Sequence, residues 1–246
     1  RYQKALQCFS GRPFSGITGT IDAEMEKHLC TVEKWDIGYL KTNGERVEIL
    51  YNTKINFDKL NLYEKSHLKR YEFARQIITS GSEGGDFACG TGYGSVLLAE
   101  KAKKVIGVDK SKIVIDVIKK RYKKYCDVEF VNKDLLKIRY KNIFDFVVSF
   151  ETIEHFSNKD ISILFKIFNN SLKRGGVLIF STPYKQKRTK EAINVGFHKT
   201  FDIDEQKIQH WMKKSGFKIY KKYYQNYKTH LIKTKLQTKD FIICIC

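Results

Sequence analysis

The segment Glu151-Thr-Ile-Glu154-His155 places two carboxylates and an imidazole within five residues, and His198 adds a second imidazole further along. Glu151, Glu154 and His155 stand at i, i+3 and i+4, a spacing that puts side chains on one face of a helical turn. A mixed set of oxygen and nitrogen donors suits Mg²⁺, Mn²⁺ or Zn²⁺, and on that reading Glu151, Glu154, His155 and His198 are the ligands. The same residues more simply suit a pocket without metal, in which Glu151 touches a bound ligand while Glu154 and His155 cap the turn and line the wall. Imidazole side chains titrate close to neutrality and serve as general bases. His198 is the first candidate for that role and His155 the second.

A second constellation lies upstream, in the run Asp86-Phe-Ala88-Cys-Gly90-Thr-Gly92-Tyr-Gly94. Glycines at alternate positions let a backbone turn tightly and approach a ligand without Cβ obstruction. The run Lys103-Lys-Val-Ile-Gly-Val-Asp109 ends in another acid, 23 residues after Asp86. An acid there can accept hydrogen bonds from both hydroxyls of an adenosine ribose. Dinucleotide-binding loops space their glycines G-x-G-x-x-G, whereas this chain has G-x-G-x-G preceded by an acid. No pyrophosphate site is implied, and Asp86 suits a ligand with a cationic amino group.

Both constellations need strand ends to hold them. Apolar runs at 86–89, 104–108, 128–132, 144–150 and 177–182 read as strands, and segments 94–101, 111–125, 160–172 and 204–215 read as helices. That alternation predicts a doubly wound, Rossmann-like α/β fold, mostly parallel, with helices on both faces of the sheet. Runs 218–224 and 240–246 bring the sheet to seven strands, the last one antiparallel. Ligands of such sheets bind beyond the carboxyl ends of the strands. Strand 144–150 delivers Glu151 to His155 to that edge, and strand 177–182 leads through a polar loop to His198. Upstream, 62–79 reads as an amphipathic helix with Leu68, Tyr71, Ala74 and Ile78 in phase. Val47, Ile49 and Tyr51 alternate as in a short strand over 44–51. Residues 1–43 are weakly periodic and read as an N-terminal extension to one domain over 44–246.

The ordered set DFACGTGYGS, VIGVDKS and the Asp134 of VNKDLL resembles the class I S-adenosylmethionine-dependent methyltransferases, over roughly residues 44 to 246. The resemblance implies a methyltransferase catalytic domain whose glycine loop, from Asp86 through Ala88, Gly90 and Gly92, borders the methionine moiety of S-adenosylmethionine. It implies that Asp109, with Lys110 beside it, holds the ribose, and that Asp134 and Leu135 lie near the adenine. Phe150 and Glu151 would complete the cofactor wall, with S-adenosylhomocysteine as the product. One departure stands out: Gly84-Gly85 occupies a place where the family usually has two apolar strand residues, which weakens the first strand.

Two further likenesses bear on the acceptor. E-x-x-E-H resembles metal-dependent O-methyltransferases of ubiquinone precursors and of small-RNA 3′ ends, although E-T-I-E-H also occurs in methyltransferases not known to use metals. His67-Leu-Lys-Arg70-Tyr71 resembles the H-x-x-R-Y helix of methyltransferases of sugar and surface-glycan pathways, which implies that Tyr63, His67, Arg70 and Tyr71 touch cofactor or acceptor. Methyl transfer is an in-line displacement, so an enzyme mainly positions the nucleophile. A hydroxyl acceptor also loses a proton, which assigns His198 or His155 as base. The expected acceptor is a small molecule, nucleotide- or phosphate-bearing, most simply a sugar or glycan precursor. RNA 2′-O-methylation with a divalent cation at E-x-x-E-H is the alternative, and a non-catalytic binding fold is the third reading.

A net charge of +19 raises affinity for polyanions such as nucleic acid. The excess of Lys over Arg, together with abundant Ile, Asn, Tyr and Phe, also fits compositional drift. Lys and Tyr interleave over 213–239 as in a nucleic-acid surface or, more simply, a protected edge strand. No apolar run approaches the roughly 18 residues of a membrane-spanning helix. The six cysteines have neither zinc-site nor disulfide-framework spacing, so free thiols and a cytoplasmic setting are expected.

Overall fold

The computed structural model describes residues 47–49, 51, 55–190 and 198–246. The proposed extension over 1–43 therefore lies outside the described residues. One eight-stranded sheet organises the rest, in the order β3-β2-β1-β4-β5-β8-β6-β7. Its strands are β1 Glu83–Phe87, β2 Lys104–Asp109, β3 Val128–Asn132, β4 Phe144–Phe150, β5 Leu172–Pro183, β6 Lys221–Gln225, β7 Ile232–Lys233 and β8 Phe241–Ile245. The first five pair in parallel, whereas β8 runs antiparallel to both β5 and β6, and β7 antiparallel to β6.

The eighth strand and the extra antiparallel pairings correct the seven-stranded expectation. β7 is two residues long, too short to leave a periodic signal, and it pairs back on Tyr224 and Gln225 across a short turn. β5 starts upstream of its apolar run because Leu172 pairs with Phe144 across an irregularity in the ladder. Val47, Ile49 and Tyr51 are buried in the expected phase, yet they join no strand. Instead the Val47 carbonyl accepts from Thr91 Oγ1 at 2.7 Å, which ties this segment to the glycine loop.

Helices α1 Leu62–Ile77, α2 Tyr93–Ala99 and α3 Lys112–Arg121 supply apolar stripes to one sheet face. Helices α4 Asn158–Ser171 and α5 Glu205–Lys214 cover the other. The α1 N-terminus has a full capping box, with Asn61 accepting from the Glu64 N–H and Glu64 from the Asn61 N–H, both at 2.9 Å. Ser111, Ser157 and Asp204 cap α3, α4 and α5. Every large apolar side chain buried between these layers contributes about 1.5–3 kcal/mol.

Gly84 and Gly85 leave room in β1 for neighbouring aromatic rings. A Cβ at Gly84 would lie 2.0 Å from Cζ of Phe146 on the neighbouring β4, and one at Gly85 would lie 2.6 Å from the Phe87 ring. The apolar volume missing from β1 is supplied by these two phenylalanines, and β1 keeps regular ladders to β2 and β4. Cys89, Cys244 and Cys246 carry free thiols. Among the described residues no helix is long and apolar enough to cross a membrane.

Candidate active site

The carboxyl ends of β1, β2, β4 and β5 converge on one edge. Beyond β1 the chain turns through Ala88, Gly90 and Gly92, all with left-handed φ of 66°, 52° and 77°. A Cβ on Gly90 would meet nothing within 4 Å, so the loop presents bare backbone to open space. Asp109 closes β2, and its carboxylate accepts from the N–H groups of Gly90 at 3.2 Å and Ser111 at 2.8 Å. It therefore sits on the rim of the glycine loop. Asp134 accepts from the Leu136 N–H at 2.9 Å, and this fixes the turn that buries Leu135. Lys110 is exposed.

Asp86 lies wholly buried beneath the loop. Ser95 Oγ donates to it at 2.6 Å and the Tyr71 hydroxyl at 3.0 Å. Burial pushes its carboxyl up to about 7; the two hydroxyl hydrogen bonds oppose that rise, and the charge of Asp109 adds to it. The Tyr71 ring packs edge-on against Phe150, with centroids 4.9 Å apart, and a Cβ on Gly94 would fall 2.1 Å from the ring. Gly94 is therefore the residue that lets α1 and α2 touch. His67 Nδ1 pairs with the Tyr93 hydroxyl. Burial, then the nearby Arg70 charge, holds the imidazole of His67 well below its usual range. Tyr63 is half-buried, with its ring 6.5 Å from that of His67.

Arg70 is completely buried. Its Nη1 donates to Gln225 Oε1 at 2.7 Å, and its guanidinium lies 4.3 Å from the centre of the Phe241 ring. Nη2 stands 3.9 Å from Glu151 Oε1. Among the described residues, Nε and Nη2 have no hydrogen-bond partner. Glu151 has a left-handed φ of 49°, and its Oε1 also accepts from Ser181 Oγ at 2.7 Å.

That backbone turn corrects the expected helical face. Glu151 leaves the helical register before the 3₁₀ turn Ile153–His155 begins, so its carboxylate joins Arg70 and Ser181. The metal-capable group is instead Glu154, His155 and His198, each offering one ligand atom within 4.8 Å of the others. Glu154 is buried, and its Oε2 accepts from Thr182 Oγ1 at 3.0 Å. The backbone carbonyl of Glu154 accepts from the N–H groups of Lys199 and Thr200, at 2.8 and 3.0 Å. Thr200 Oγ1 adds a bond to the Phe156 carbonyl at 2.7 Å. These clips bring His198 beside His155, with ring centroids 5.0 Å apart.

Sequence reasoning named most of this constellation but missed Ser95, Ser181, Thr182, Gln225 and also Gln186, whose Oε1 lies 2.7 Å from His198 Nδ1. Gln225 meets Arg70 across 155 residues, and no local spacing signals such a pair.

Residues 86–176 match the family model for a methyltransferase domain. The chain is 31% identical over 125 residues to a probable S-adenosylmethionine-dependent methyltransferase of Mycolicibacterium smegmatis, an alignment covering 49% of this chain and 46% of that protein. It is 31% identical over 114 residues to a ubiquinone biosynthesis O-methyltransferase of Pelagibacter ubique, covering 45% and 46%. The matched region thus spans about half the length of these curated relatives. Among solved structures, an S-adenosylmethionine-dependent methyltransferase from Mesorhizobium loti superposes with a TM-score of 0.61 at 16% identity, covering 77% of this chain and 98% of that one. Residues 86–176 are thus similar to methyltransferase domains, and the chain shares its α/β fold with solved S-adenosylmethionine-dependent methyltransferases.

Proposed function

We propose that the chain transfers the methyl group of S-adenosylmethionine to a hydroxyl of a small molecule, a sugar or glycan precursor, with His198 as the base and His155 beside it. The observation that supports this reading is the Glu154, His155 and His198 group, gathered beyond the carboxyl ends of β4 and β5 in a sheet whose β4 pairs with β1. The residues of the loop fit the cofactor. Open space over Gly90 leaves room for it, and Asp109 lies at the position that suits a ribose. The buried Nε and Nη2 of Arg70 suit the carboxylate of a methionine moiety, and Asp86 suits its amino group. When bound, the cofactor supplies an electrophilic methyl group. The protein's part is to orient the acceptor oxygen and to take its proton at the His198 imidazole. Product analysis after incubation with labelled cofactor and a sugar panel tests this. Transfer only to RNA or protein would sink it.

A second reading follows from the same group. Glu154, His155 and His198 are a donor set that would hold a divalent cation, which supplies Lewis acidity for an RNA 2′-hydroxyl. The net charge of +19 favours a polyanionic acceptor. It requires RNA binding that weakens steeply with salt and transfer abolished by chelation. Chelator-resistant transfer to a neutral sugar excludes it.

A further inference from the structure

We infer that the β6–β7 hairpin is a docking surface for single-stranded nucleic acid, held along it by charge and by stacking on Tyr220. Residues 218–235 hold Lys218, Lys221, Lys222, Lys228, Lys233 and Lys235 and no Asp or Glu. All six lysines are exposed, and among the described residues none of them forms an ion pair. The acid that follows, Asp240, is taken up by the turn: its carboxylate accepts from the Tyr227 N–H at 2.7 Å and from Asn226 Nδ2 at 3.3 Å. Crowding like charges on one hairpin costs free energy that an anionic partner relieves. Aromatic rings stand among the lysines. Tyr220 is 84% exposed, the Lys221 ammonium lies 5.3 Å from the centre of the Tyr223 ring, and Tyr227 is half-buried in the turn. Cations interleaved with aromatic rings suit a single strand, because every base has a face that can stack.

Protection of a sheet edge does not account for this set, since Lys228 lies in the turn and Lys235 beyond the end of β7. The placement of the hairpin also suits a partner. β6 runs antiparallel to β8, which runs antiparallel to β5, so β6 points the same way as β5. Gln225 pairs with Phe241 and Phe241 with Pro183, next to the Thr182 that bonds Glu154. At the usual strand spacing Gln225 is about 10 Å from Pro183. The turn after Gln225 therefore stands at the same sheet edge as Glu154, His155 and His198. Its shape is set from within, because Asn226 accepts the His230 N–H at its carbonyl at 2.9 Å and the Thr229 N–H at its side chain at 2.8 Å. Docking of a strand here is independent of which acceptor takes the methyl group.

The test is fluorescence anisotropy of the full chain with a labelled oligouridylate of about 12 nucleotides, across a series of salt concentrations. For single strands each phosphate contact contributes roughly −0.7 to the slope of log affinity against log salt. Lys221→Gln, Lys222→Gln, Lys228→Gln and Lys233→Gln together are expected to lower affinity more than about 10-fold and to flatten that slope by about 3. Lys119→Gln, Lys120→Gln, Lys123→Gln and Lys124→Gln, which remove the same charge at and just beyond the end of α3, are expected to change affinity less than about threefold. Tyr220→Ala is expected to weaken the oligonucleotide about 5- to 100-fold and to leave binding of inorganic polyphosphate unchanged. Equal losses from the two lysine sets would mean that net charge alone attracts the strand, which overturns the inference. It is overturned as well if Tyr220→Ala has no effect on the oligonucleotide, or if the unaltered chain binds anionic phospholipid vesicles but no oligonucleotide.

Discussion

Arg70 on α1 and Gln225 on β6 hydrogen-bond at 2.7 Å with both side chains fully buried, joining the helix before the glycine loop to a strand near the C-terminus. Gln225 Nε2 returns a second bond to the Ser66 carbonyl at 2.9 Å, so the amide bridges two turns of α1. Gln225→Leu leaves a buried cation short of an acceptor. It is expected to destabilise the fold by about 2–4 kcal/mol, read as a lowered urea midpoint.

Asp86 gives the protein without ligand an unusual dependence on pH. Its carboxyl holds a proton up to about 7 in the fold but only to 3.8 when unfolded. Between those values the folded state binds more protons, so stability falls as pH rises from 4 to 7 and is flat above. Asp86→Asn removes that slope in urea titrations at a series of pH values. A cationic amino group needs the ionised carboxylate, so S-adenosylhomocysteine should bind more tightly at pH 8 than at pH 6. No such gain is expected in Asp86→Asn.

Asp109→Ala removes the carboxylate that sits on the loop rim, held by the Gly90 and Ser111 N–H groups. Charge-assisted bonds to ribose hydroxyls are worth roughly 1.5–3 kcal/mol, so calorimetry with S-adenosylhomocysteine should show affinity reduced about 10- to 100-fold.

Gly94→Ala forces a methyl group into the Tyr71 ring, to within 2.1 Å of its Cζ. The ring must shift, which breaks its bond to Asp86 and loosens its packing on Phe150. A loss of about 1–3 kcal/mol is expected in thermal unfolding. Tyr71→Phe, which removes only the hydroxyl, should cost less and still bind cofactor.

Ala88 has a φ of 66°, a conformation that costs a residue with a Cβ about 1–2 kcal/mol. Ala88→Gly relieves this against an entropic cost of roughly 0.5–1 kcal/mol. Its melting temperature should hold or rise, and a clear fall would show that the methyl group packs.

The parallel half of the sheet was legible because each strand is a bounded apolar run and each helix an amphipathic one; β3 and β4 match their expected bounds at both ends. The C-terminal hairpin was less legible, since β7 has only two residues and no period to detect. Glycine spacing located the tight loop after β1, because tight turns leave local marks. Helical spacing misplaced Glu151, since it assumes a continuous helix and a single left-handed φ breaks that assumption. Gln186 and Gln225 were invisible because an amide has no distinctive spacing and their partners come from tertiary contact alone.

The Phe146 ring over Gly84 couples two positions on adjacent strands into one inheritable unit. Neither can change freely by itself: a side chain at 84 collides with the ring, and a small residue at 146 opens a void above a bare backbone. Gly84→Val paired with Phe146→Ala would be tolerated better than either change alone. Among proteins that share this arrangement, a glycine at the first position should travel with an aromatic at the second, and an aliphatic with something smaller.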